Sequence, residues 1–124
     1  MKKKKYLAAL LFSIGLISTL SLSASAYTVV GSCNNIHCEA VLNVNGKSFR
    51  AGTYADKLMA NISVTLDGRK EWWIDRDEQN LEREAYVKAT IASLDGWSTH
   101  HADNNRGDAF DRSIGFKNGS FYKR

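Results

Sequence analysis

Proline is absent from all 124 residues. The chain has no stiff proline-rich linker and must punctuate its elements by other means. Cysteine is scarce, with only Cys33 and Cys38. Paired with His37 they would need His100 or His101 to approach the four ligands of a structural zinc site. An excess of one charge sign is also missing. The formal charge of +4 is carried by the four lysines at 2–5. From Tyr27 onward thirteen Lys and Arg face thirteen Asp and Glu. Bulk charge therefore gives no reason to expect nucleic acid or an anionic membrane as partner. No long apolar run follows residue 26, no G-x-S-x-G nucleophile elbow occurs, and no calcium loop is completed by a glutamate.

The apolar run that does exist lies at the start. Residues 2–5 are a positive n-region, 6–22 an apolar h-region, and Ala24-Ser25-Ala26 an A-x-A cleavage pattern. This reads as a secretory signal over 1–26, too short in its apolar part for a membrane span. The expectation is an exported domain over 27–124 with no stable membrane anchor. In an oxidising compartment Cys33 and Cys38 are expected to form a disulfide closing a six-residue loop.

Four dipeptides take over from proline: Asn45-Gly46, Asp67-Gly68, Asp95-Gly96 and Asn118-Gly119. Each suits a type I′ hairpin, whose two central residues need positive φ. Alternating or β-branched runs flank all four. About eight short strands at this spacing predict one all-β domain, an antiparallel β-sandwich built from hairpins. Residues 84–97 decide the class. As a strand they put Ala85, Val87, Ala89 and Ile91 on one face and Tyr86, Lys88 and Thr90 on the other. The acidic, breaker-free run over 76–84 allows one short helix there. The runs 59–68 and 87–96 both end in Leu-Asp-Gly, a possible worn repeat. The predicted core is Val41, Phe49, Ile62, Val64, Leu66, Trp72, Ile74, Val87, Ala89, Ile91, Ile114 and Phe116.

Two groups could carry function. The first is aromatic. Strand alternation puts one of Trp72 and Trp73 outside, and Trp73, Tyr86 and Trp97 are the candidate binding surface. The second is the polar loop over 98–108, with His100, His101, Asp103, Asn105 and Asp108 as candidate metal ligands or catalytic groups. Neighbouring histidines on a strand point to opposite faces, so they do not share one metal. A solvated turn accounts for the same composition. Neither group implies a cofactor.

The format, a lysine-rich leader before one short proline-poor domain, resembles that of small exported bacterial proteins such as lactococcin-type bacteriocins. The present chain is longer and has a cysteine pair, and no site residue is carried over. The reading is a secreted, non-enzymatic protein acting by binding an extracellular protein or glycan, as an antagonist or a surface module. One alternative is a small hydrolase or metal-dependent enzyme using the 98–108 loop. Another is an enzyme inhibitor displaying the loop between Cys33 and Cys38.

Overall fold

Two antiparallel sheets packed face to face bury the alternating apolar positions of nearly every strand. The computed structural model describes residues 24–124. The leader read over 1–26 lies outside them except for its last three residues. The strands are β1 (Ala24–Cys33), β2 (Ile36–Asn45), β3 (Ser48–Met59), β4 (Asn61–Gly68), β5 (Asp75–Gln79), β6 (Glu82–Thr90), β7 (Gly96–Asp103), β8 (Ala109–Lys117) and β9 (Ser120–Lys123). One sheet has the order β1-β2-β3-β6 and the other β5-β4-β7-β8-β9. The predicted all-β sandwich is the observed fold. The helix allowed over 76–84 is not formed. That run is β5, a two-residue corner, and the start of β6. Pairing with β4 and β3 overrides the local helical preference.

Turn chemistry sets the hairpins. At Asn118 and Gly119 φ is +53° and +79°, the type I′ turn expected between β8 and β9. At the other predicted Asn-Gly site the central pair is Gly46-Lys47, since Asn45 pairs with Ser48. Gly46 alone has positive φ, +60°, so this turn is type II′ rather than I′. A further type I′ turn joins β1 to β2 at Asn34 (+49°) and Asn35 (+64°). The two Asp-Gly sites are not hairpins. Gly68 ends β4, Gly96 begins β7, and the two pair with each other across the sheet. The Leu-Asp-Gly runs thus converge at one end of the sandwich.

The core holds Leu42, Phe49, Met59, Ile62, Leu66, Ile91, Phe110 and Ile114, all fully buried. Ala85 and Val87 of β6 face inward as the alternation requires, while Ala89 and Ile74 are half-buried at the rim. Aromatic rings close one long edge. Phe116 meets Phe49 and Phe121 edge-on at 5.7 and 5.0 Å, and Phe121 stacks on Tyr27 at 5.9 Å. Trp72 is the failure of the predicted core, with 87% of its surface exposed.

The expected disulfide is not formed, and Cys33 and Cys38 are buried free thiols. The register explains this. Cys33 pairs with Ile36 and Cys38 with Gly31, so the two cysteines are diagonal neighbours. Diagonal Cα atoms lie roughly 7–8 Å apart, beyond the usual disulfide range of about 4.4–6.8 Å. Burial raises both thiol pKa values, that of Cys38 to about 11. A thiol-specific disulfide reagent is therefore expected to label the folded protein at least tenfold more slowly than the unfolded chain. Equal rates would show that the first hairpin opens freely.

Candidate functional site

At the end of the sandwich where Gly68 and Gly96 meet, two loops stand beyond the strands, over 69–74 and 91–95. They brace each other. Arg69 N donates to Asp95 O at 2.8 Å, and its Nε donates to Asp95 Oδ2 at 2.9 Å. The Glu71 carboxylate accepts from Ser93 N at 2.8 Å and Ser93 Oγ at 2.7 Å. These two bonds hold the Glu71 pKa below its ordinary value. The second loop is anchored in turn by Ile91 N on Lys47 O at 2.8 Å.

The braced loops carry three exposed apolar side chains: Trp72 at 87%, Trp73 at 62% and Leu94 at 39% exposure. Trp72 and Leu94 both sit at φ +56°. A non-glycine residue there costs about 1–2 kcal/mol, so the backbone is strained where the side chain is turned out. Such strain gathers at functional positions. Around the tip Lys47, Arg69, Lys70 and Lys117 are exposed. The loops' two carboxylates, Glu71 and Asp95, are engaged in the bracing. The tip is an apolar apex with a surplus of positive charge at its base. Removing the Glu71 carboxylate by Glu71→Ala should raise amide exchange at Ser93 at least tenfold. Unchanged protection would mean that the loops stand without this brace.

The three aromatic residues chosen from strand alternation do not form one surface. Trp73 lies on the tip, and Trp72, assigned to the core, stands beside it. Residues 72–74 have left the strand, so alternation does not apply there. Tyr86 is half-buried on the outer face of the four-stranded sheet, in register with Gly52. Its backbone N–H donates to Asp77 Oδ2 at 2.9 Å. Trp97 is half-buried on the outer face of the five-stranded sheet, with the Arg124 guanidinium 4.2 Å above its ring.

The predicted loop over 98–108 is mostly strand. His100, His101 and Asp103 belong to β7, and only residues 104–108 form the turn into β8. His100 and His101 face opposite ways, as the period of two requires. His100 is fully buried between the sheets. Thr53 Oγ1 gives its proton to Ser63 O at 2.8 Å, so it accepts from His100 Nδ1 at 2.9 Å. His100 Nε2 then accepts from Ser98 Oγ at 2.6 Å. This serine–histidine contact is sealed from solvent, with Ser98 also fully buried.

His101 faces outward between two carboxylates. Nδ1 contacts Asp111 Oδ1 at 2.6 Å, and Nε2 contacts Asp103. Partial burial opposes the charged ring, but the hydrogen bonds and charges of Asp111 and Asp103 prevail and raise its pKa. Both ring nitrogens are occupied, which leaves no lone pair for a general base. Asp103 Oδ1 also accepts from Asn61 Nδ2 and Asn105 N, each at 2.9 Å. Asp108 Oδ2 accepts from Asn34 N at 2.8 Å and ties the β7–β8 turn to the first hairpin. The five candidates therefore divide among the core, the outer sheet face and a loop brace. They do not converge in a pocket. Among the described residues no group of three His, Cys, Asp or Glu side chains is placed to hold a metal ion.

Sequence reasoning missed the tip because its signal was a broken alternation at adjacent tryptophans. No protein-family model, curated protein or solved structure matches this chain.

Proposed function

We propose that the protein is an exported, non-catalytic binding protein that docks reversibly on cell surfaces through the Trp72–Trp73 tip, at the interface of an anionic membrane. The observation that carries this reading is the exposed tryptophan pair on two mutually braced loops. Tryptophan favours the headgroup level of a bilayer, where its ring is buried and its N–H stays wet. Leu94 adds apolar area beside it, and Lys47, Lys70 and Lys117 suit anionic headgroups, while Arg69 is held by Asp95. The attraction is local, since the domain's charges balance overall. Because the loops are pre-braced, docking costs little ordering entropy. The reading deepens the expectation of a surface-binding or antagonistic factor. The enzymatic alternative lacks support from the separation of His100, His101, Asp103 and Asp108. The inhibitor alternative loses its rigid loop with the missing disulfide.

Sedimentation with phosphatidylglycerol vesicles tests the proposal, with phosphatidylcholine vesicles for comparison. Binding to the anionic vesicles with a blue shift of tryptophan emission is expected. Absence of binding to both, alongside saturable binding to a neutral glycan, would move the tip's function to sugar recognition.

A further inference from the structure

β1 is an outer strand of the four-stranded sheet. The other three sheet edges carry features that discourage strand addition. β5 is five residues long, and Asp75, Arg76, Asp77 and Glu78 make four of them charged. β6 has the Asp77 carboxylate on its Tyr86 amide. β9 has only four residues and ends on exposed Lys123. β1 has none of these. Its side chains include no charge and no proline, and the seven residues beyond the cleavage expected after Ala26, Tyr27–Cys33, pair with β2 in an unbroken register. Cys33 and Ile36 flank a two-residue turn and form a hydrogen-bonded pair. Alternation from there turns the backbone groups of Thr28, Val30 and Ser32 away from β2.

Beside this edge runs a cleft of about 490 Å³. Val29 and Val30 line one wall, and Arg112, Lys123 and Arg124 contribute three cations opposite. The Arg112 guanidinium lies 4.6 Å from the centre of the Phe110 ring. It also lies over Gly31, where a Cβ would come within 2.3 Å of its Nη2. The bare glycine leaves space for a cation at the strand edge. Asp111 also lines the cleft, but His101 engages its carboxylate. Among the described residues Arg112, Lys123 and Arg124 form no ion pair with a carboxylate.

We propose that the edge of β1, unpaired among the described residues, receives an extended acidic segment of a partner protein as an added strand. Main-chain hydrogen bonds to Thr28, Val30 and Ser32 supply the pairing. Alternate carboxylates of the guest meet Arg112, Lys123 and Arg124. A second copy of this chain fits the edge less well. Antiparallel pairing of two β1 strands about Val29 brings both sets of three cations together.

The test is fluorescence anisotropy at physiological ionic strength with a labelled octapeptide of alternating glutamate and valine. It should bind at least tenfold more tightly than the lysine–valine counterpart. Methylating alternate backbone nitrogens of the peptide should weaken binding at least tenfold, and so should R112Q/K123Q. Val30→Pro removes one outward donor without touching the β1–β2 ladder, and it should weaken binding similarly. If Val30→Pro fails to fold, the methylated peptide still decides. Equal binding of acidic and basic peptides, or of methylated and unmethylated ones, would overturn the proposal. So would absence of saturable binding, or a dimer of the protein that excludes the peptide.

Discussion

Replacing Trp72 and Trp73 together by alanine should lower partitioning onto phosphatidylglycerol vesicles by roughly 100-fold without lowering the melting temperature. The magnitude follows from area. Burying a large apolar side chain contributes about 1.5 kcal/mol or more, and two such losses give about 3 kcal/mol, with 1.4 kcal/mol per tenfold in affinity. Stability should hold because both rings already face solvent, with 87% and 62% of their surface exposed. Trp72→Gly separates strain from binding. It places glycine at φ +56°, where a side chain costs about 1 kcal/mol or more. That variant should bind less well yet melt at a higher temperature. Trp97, beside Gly96 at the base of the tip and under Arg124, remains as the third tryptophan and sets the background emission of the double variant. If the double variant binds as well as the parent, the tip is not the docking surface.

Much of the fold was legible because it depends on short-range rules. The strand reading of 84–97 followed from a period of two; it holds over 84–90, where Ala85 and Val87 do face the core, and fails over 91–95, which form a loop. Asn118-Gly119 followed from φ preference, which is local to the dipeptide. The opposite faces of His100 and His101 followed from the same period. What could not be read were facts of register and crossover. Asp67-Gly68 and Asp95-Gly96 have hairpin composition, yet they lie where β4 and β7 meet and the chain then leaves the sheet. The same dipeptide cannot say whether its two flanking strands are neighbours. Cys33 and Cys38 are close in sequence, but the two-residue turn at Asn34-Asn35 sets them diagonal rather than opposite. Trp72 shows the limit of alternation. Parity assigns a face only while the strand continues, and here it ends four residues earlier, at Gly68.

The largest effect on stability is expected from His100, and from acid acting on it. Its side chain fills buried space between the sheets and links Thr53 of β3 to Ser98 of β7. His100→Ala leaves a cavity, removes the hydrogen-bond partner of the Ser98 hydroxyl and takes the donor from Thr53 Oγ1, which keeps its bond to Ser63 O. Cavity formation and unsatisfied polar groups together should cost about 3–5 kcal/mol, a large share of a small domain's stability. Burial holds the His100 pKa down at about 3, against an ordinary value of 6.5. The folded state therefore keeps the ring neutral, while the unfolded chain protonates it near pH 6.5. Between these values the unfolded state binds more protons, so stability rises with pH. The contribution is complete above pH 6.5 and is lost as the pH falls toward 3, at about 1.4 kcal/mol per pH unit. Urea denaturation from pH 7 to pH 4 should show this slope in the parent, and His100→Gln should flatten it. Glutamine can still reach a hydroxyl but does not titrate, so a variant with the parent's slope would assign the acid sensitivity to other groups. His101 works in the opposite sense, because its pKa is raised by Asp103 and Asp111. Its stabilisation is complete below the unfolded value and disappears as the pH rises through the folded one. Two adjacent histidines on one strand thus act in adjoining pH windows, His100 below 6.5 and His101 above it, so their contributions are lost on opposite sides of that pH.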